Sequence, residues 1–177
     1  YDAENRKIAD ISDLGTLIEY QYDANNQLIN TIQHNTLVDT SSFVDEKGEW
    51  TNPQLDKIRP APTGEDGITH LIYTLTGQLK YTLQGSGDQV SVSENVYDSK
   101  GQLITQIAYH DYVSMPATFT ADVISKLVHP GALDEKTEIM YDASAQKIGV
   151  ISANGSVVEY VYDHAGNVLK TIRYATA

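Results

Sequence analysis

Apolar and β-branched residues in this chain fall in short runs, and turn-forming residues punctuate them. Near the end, Val157-Val158-Glu159-Tyr160-Val161-Tyr162 is followed by Asp163-His164-Ala165-Gly166-Asn167 and then by a second run from Val168 to Tyr174. That pattern predicts strand, turn, strand. A preceding strand is predicted over 147–152, joined through the tight turn Ala153-Asn154-Gly155. Asp13-Leu14-Gly15 and Gly85-Ser86-Gly87 are the matching turns earlier in the chain. Extended along the whole sequence, the pattern predicts about eleven strands in an all-β fold, a curved or spiralling antiparallel sheet of repeated hairpins with short helical inserts.

The turn phrase is written six times, from Tyr1, Tyr22, Tyr73, Tyr97, Tyr141 and Tyr162. Asp2, Asp23, Asp98, Asp142 and Asp163 follow five of these tyrosines, and Thr74 follows the other. The fourth residue after Tyr is Asn5, Asn26, Gly77, Gly101, Ala145 or Gly166. Gly and Asn tolerate a left-handed backbone, so these positions read as hairpin joints. Ala145 is then expected either to carry strain or to sit in a different turn. The phrases pair into modules beginning at Tyr1, Tyr73 and Tyr141, and residues 1–37 match 141–177 without a gap at 15 positions. The unit is a module of about 70 residues. Hairpin modules cover 1–34, 67–109 and, in part, 137–177, within one continuous repeat array.

Inserts occupy 35–66 and 110–136. All five prolines, Pro53, Pro60, Pro62, Pro116 and Pro130, lie in them, as do Phe43, Phe119 and Trp50. Proline removes a ladder donor, so its confinement supports the division. Thr120 is expected to cap a helix over 121–128, and Asn52 to cap one that has Pro53 at its first position. Each helix runs into a proline and then an acidic pair, Glu65-Asp66 or Asp134-Glu135. The two inserts read as degenerate copies of one device whose bulky side chains cover one face of the sheet.

The net charge of −12, from 24 acidic and 12 basic residues, argues against nucleic acid and against an anionic membrane surface. No apolar run is long enough to insert directly into a membrane. With no cysteine, disulfides and Cys-ligated zinc are excluded. The chain begins Tyr1-Asp2 inside a repeat, which reads as a slice of a longer protein.

Candidate chemistry is sparse. His34, His70, His110, His129 and His164 form no HxH or HExxH pattern. His34 and Tyr174 hold equivalent places, as do Arg59 and His129, and such interchange suits packing better than metal binding. The acidic pairs Asp45-Glu46, Glu65-Asp66 and Asp134-Glu135 read as solvated loop charges. There is no GxSxG, and Gly85-Ser86-Gly87 precedes no helix that would make it a phosphate loop. No catalytic residue, metal site or cofactor is expected. In the phrase itself, Tyr is expected to pack along the sheet and Asp to cap its own turn. Tyr20, Tyr22, Tyr160 and Tyr162 are the candidate glycan surface, because each pair shares a strand face.

Six phased copies of YD-x-x-G-x-L, with the lead-in Glu159-Tyr160-Val161-Tyr162-Asp163, resemble the YD repeat of the Rhs family. That family includes bacterial Rhs and Tc-toxin shell proteins and the animal teneurins. The resemblance covers nearly the whole chain, least well in the inserts. It implies hairpins stacked into a spiralling shell, tube or fibre, a non-enzymatic structural role, and an extracellular or cell-surface location. Partners implied are neighbouring repeats or other copies of the chain, with glycans, or a C-terminal toxin enclosed by a shell, as alternatives. The chain has no Asp-Pro dipeptide, so the family's self-cleaving core motif is not expected in it. Its long inserts also depart from a compact shell.

Overall fold

In the computed structural model, residues 1–47, 49, 51 and 53–174 are described. Twelve strands form one sheet. In chain order they are β1 (Ala9–Ile11), β2 (Leu17–Tyr22), β3 (Leu28–Gln33), β4 (Gly67–Tyr73), β5 (Leu79–Ser86), β6 (Gln89–Tyr97), β7 (Leu103–Ala108), β8 (Val113–Ser114), β9 (Glu135–Tyr141), β10 (Lys147–Ile151), β11 (Val157–Tyr162) and β12 (Val168–Tyr174). Eleven of them follow one another across the sheet, and the two-residue β8 pairs beside them with β6. Every pairing is antiparallel, and β1 and β12 are the open ends of the path. The all-β expectation holds, and the strand beyond the expected eleven is the short β8 inside the second insert.

Each Tyr-led turn closes the same way. Asp23 N–H bonds the Gln27 carbonyl and Asn26 N–H bonds the Asp23 carbonyl, and the other five copies repeat this pair. The fourth residue after Tyr is left-handed in all six, including Ala145 at φ 65°. Ala145 therefore keeps the common turn and takes a conformation that a Cβ disfavours. Beside five of these turns the strand register slips by one residue, between Gln21 and Tyr22 for example, so each hairpin carries a bulge at the same edge of the sheet. Bulges bend a strand and raise its twist, so their repetition curves the sheet in one sense.

The second small turn differs from expectation. Gly85 pairs with Val90 and Ser86 with Gln89, so Gly85-Ser86 belong to β5 and the loop is Gly87-Asp88. The extra ladder rungs come from Gly85, where a Cβ would run into the Gln89 carbonyl and Val90.

Over β4–β6 one sheet face is polar, with Thr69, Thr82, Gln84, Ser91 and Ser93 along it. The other carries the core. Tyr81 and Leu83 of β5 and Val90 and Val92 of β6 are buried there with Ile72. Helix α2 (Ala121–Leu127) seals them with Ile124 and Val128. Thr120 caps it, accepting from Val123 N–H, and Val128 turns extended before Pro130. Two turns are too few for a helix to persist by propensity, so burial of Ile124 holds it in place.

The first insert lies over the neighbouring part of that face. A 3₁₀ turn at Thr40–Phe43 is capped by Asp39, and Phe43 is buried. Helix α1 spans only Leu55–Ile58, with Gln54 at its N-cap and no side-chain cap bond. It starts later than expected, because Gln54 is extended and leaves Pro53 outside the helix. Asn52 and Trp50 lie outside the described residues. Phe119 stacks on His70 with ring centroids 3.6 Å apart, at the rim of the core.

Candidate functional site

The repeated phrase builds a chain of clasps along the turn edge. Tyr22 donates its hydroxyl to the Lys7 carbonyl at 2.9 Å, and Tyr73 to the Leu28 carbonyl at 2.9 Å. Tyr97, Tyr141 and Tyr162 do the same to Leu79, Leu103 and Lys147 at 2.9, 3.1 and 2.7 Å. Each acceptor lies six residues beyond the tyrosine of the preceding phrase. Five of the six phrase tyrosines thus fasten their own turn to the hairpin before it. The residue after the left-handed one reaches the other way. Gln27 donates to the Gly77 carbonyl, Gln78 to the Gly101 carbonyl, and Arg6 to the Asn26 side chain.

The aspartates work within their turns. Asp23 Oδ1 accepts from Asn25 and Gln27 N–H at 2.8 and 2.9 Å, and Asp2, Asp98, Asp142 and Asp163 hold equivalent pairs. Thr74 keeps one of these bonds through its hydroxyl. Hydrogen bonding holds Asp2 and Asp163 below the usual carboxylate range, Asp2 chiefly through Arg6 and Asp163 through Asn167. With Oδ1 of each held by two turn amides, these carboxylates are joints of the backbone.

A seventh such turn lies inside the first insert. Asp45 Oδ1 accepts from Lys47 and Glu49 N–H at 2.8 and 2.9 Å, with Val44 in the tyrosine's place. Asp45 is exposed, as expected of a solvated loop charge, and it also caps its turn. Its spacing to Gly48 repeats that of Asp163 to Gly166, a signal present in the sequence.

A buried polar cluster fixes the first insert to the sheet. Glu19, His34 and Asp66 are all buried. His34 Nε2 lies 2.7 Å from Glu19 Oε1, and Arg59 grips both Glu19 oxygens at 2.8 and 2.7 Å. Asp66 accepts from Asn35 N–H and from the Thr63 hydroxyl and N–H. Burial pushes both carboxyls up, but these donors outweigh it and hold them below their usual range. In the second insert Asp134 closes the same loop, accepting from His110 and Gly131 N–H. Asp66 is thus a buried insert clasp, which corrects its reading as a solvated charge, and Asp134 makes its clasp at an exposed site. Glu65 is exposed, in keeping with that reading.

Glu94 and Glu159 repeat the position of Glu19. Tyr109 donates to Glu94 and Tyr174 to Glu159, where His34 meets Glu19. Burial first, then Glu94, pushes Tyr81 up to about 12 and raises Tyr109 as well. The equivalence of His34 with Tyr174 is therefore a shared bond to glutamate. Among the described residues, no three His or carboxylate side chains are arranged to hold a metal ion. Glu19 spends its oxygens on Arg59 and His34, and Asp66 on amides and a hydroxyl.

The candidate glycan residues do not form one surface. Tyr20 and Tyr22 lie on β2, whereas Tyr160 and Tyr162 lie on β11, with seven strands between them. The ammonium of Lys7 sits over the Tyr20 ring and that of Lys147 over Tyr160, while Arg6 covers Tyr22. The hydroxyls of Tyr22 and Tyr162 are spent on the clasps.

No family model matches the chain, and no curated protein matches it. Solved structures do. The chain is similar to part of the crystal structure of TcdB2-TccC3-Cdc42, with TM-score 0.54 and 14% identity. It is also similar to TcdB2-TccC3 without its hypervariable C-terminal region, with TM-score 0.52 and 14% identity. A third match is the Photorhabdus luminescens Tc holotoxin pore, with TM-score 0.54 and 16% identity. Each match covers 98% of this chain but only 8% or 7% of the other. At such identity the likeness is one of fold, and it places this clasped sheet of hairpins beside a small part of the Tc toxin structures.

Proposed function

We propose that the chain is a non-enzymatic structural scaffold, a segment of an extracellular YD-repeat protein whose hairpins stack into a β-spiral, tube or fibre. The observation that carries this reading is the tyrosine clasp, made by five successive phrases to the phrase before. A contact repeated at every joint is the mark of a scaffold, whose stability comes from nearest-neighbour interfaces. The extracellular setting rests on the resemblance of the phrase alone.

A second reading, the wall of a hollow shell around a toxin, is favoured by the fold likeness to Tc toxin structures. A glycan-binding role has less behind it, since the two tyrosine pairs are far apart and partly covered. The test is a tandem array of the 140-residue unit that separates Tyr1 from Tyr141, imaged by electron microscopy. A scaffold gives rods or tubes whose length grows with copy number, and a shell gives closed particles of fixed diameter. Glycan binding that Tyr20→Ala abolishes without unfolding the chain would overturn both.

A further inference from the structure

Glu19, Glu94 and Glu159 occupy one position of the repeat, three residues before Tyr22, Tyr97 and Tyr162. Each meets a side chain fifteen residues later, His34, Tyr109 or Tyr174. Two of the three also hold a cation. Glu19 takes Arg59 from the first insert, and Glu94 takes Lys80 from the neighbouring strand at 2.6 Å. These two sources replace one another. Where Lys80 stands, the first and third modules have Ile8 and Ile148. Where Arg59 stands, the second insert has His129. The second module, with lysine in its own strand, lacks the insert arginine, and the first, with isoleucine there, has it.

Glu159 has the isoleucine, Ile148, and among the described residues its one side-chain hydrogen bond comes from Tyr174. The surface around it is also uncovered. Leu17 is 1% exposed beside the first insert, whereas its counterpart Val157 is half-buried. His34 is 4% exposed and its counterpart Tyr174 is 49% exposed.

We infer that Val157, Glu159 and Tyr174 form a docking surface for a further insert of the 35–66 kind, whose arginine grips Glu159 as Arg59 grips Glu19. The inference rests on the scaffold reading and names the partner of its open end. A guanidinium fits because Glu19 is held by a two-pronged fork, which a lysine cannot reproduce from a distance. Apolar residues in the places of Leu55 and Ile58 would cover Val157 as the first insert covers Leu17. A second copy of residues 1–174 does not fit, because its Arg59 is already engaged on its own Glu19 and its second insert offers His129.

The test fuses a second copy of residues 38–86 after Ala177, which continues the register because 1–37 align with 141–177 without a gap. Hydrogen exchange is then followed at the β12 amides that point away from β11. We expect the fusion to slow their exchange at least tenfold, Arg59→Met in the fused copy to remove most of that protection, and Ile148→Lys to restore it. Protection that survives Arg59→Met unchanged would overturn the inference and leave the scaffold reading standing. No slowing in the fusion at all would overturn both. Protection that arises in the unfused chain as its concentration is raised would overturn it in favour of self-association.

Discussion

The Tyr97 hydroxyl donates to the Leu79 carbonyl at 2.9 Å, and the same carbonyl accepts from the Asn95 side chain at 3.1 Å. This is the clasp with a second side-chain donor. At the neighbouring clasp, Tyr73 is the side chain that serves the Leu28 carbonyl. Tyr97→Phe leaves its acceptor bonded, whereas Tyr73→Phe strips one from a part-buried carbonyl. We expect Tyr73→Phe to cost about 1 kcal/mol and Tyr97→Phe about half of that or less. Urea unfolding of the two variants checks this, and equal losses would mean that the clasps stabilise through ring packing instead.

Ala145 holds φ 65° where three phrases have glycine. The left-handed conformation costs a Cβ-bearing residue about 1–2 kcal/mol, and glycine returns part of that gain as unfolded-state entropy. Ala145→Gly should therefore stabilise the chain by roughly 0.5–1 kcal/mol. Gly101→Ala should do the reverse, with the added Cβ 3.2 Å from Gln78 Nε2. A thermal shift of the same sign for both variants would contradict the common turn.

The joints were the most legible part of this chain. Turn chemistry is local, so a left-handed position announces itself as Gly or Asn, and the bounds of β11 and β12 follow from the runs between joints. The clasp was not legible, because the carbonyl that accepts from Tyr162 belongs to the backbone of Lys147 and has no residue-type signature. The same holds for Asp66, whose partners are chiefly an amide and a threonine far from any motif. The interchange of His34 with Tyr174 was visible, but its meaning required Glu19 and Glu159 to be seen opposite them. Asp45 was missed because its turn lacks the tyrosine that marks the other six.

Glu19 and Asp66 link the first insert to acid stability. Both carboxyls are held below their usual values in the folded chain, so the folded state binds fewer protons than the unfolded one. Their contribution is complete above the unfolded values, near 4.5 and 3.8, and is lost as pH falls through the lower folded ones. Arg59→Met removes the main donor to Glu19 and leaves burial to raise that carboxyl. The variant should be less stable than the parent at pH 7, and the part of the acid loss that Glu19 carries should shrink or reverse, so that the two chains converge as pH falls. The urea midpoint measured from pH 7 to pH 3 decides it, and an unchanged acid limb would show that Glu19 does not depend on Arg59.

Glu65 and Asp66 are adjacent acids with opposite prospects. Glu65 is exposed and, among the described residues, hydrogen-bonds the Asn35 side chain alone, whereas Asp66 is 3% exposed and takes three donors from Asn35 and Thr63. A bond between exposed groups contributes little, so Glu65→Ala should stay within about 0.5 kcal/mol of the parent. Asp66→Ala leaves two part-buried amides and a hydroxyl without an acceptor and removes the charge beside the buried His34, an expected loss of about 2–3 kcal/mol. Asp134 makes the equivalent closure at an exposed site, so water replaces its carboxylate and Asp134→Ala should cost only about 1 kcal/mol. The order Asp66, Asp134, Glu65 in denaturant unfolding is the check. A loss at Glu65 as large as at Asp66 would place the closure of the insert in surface charge rather than in the buried clasp.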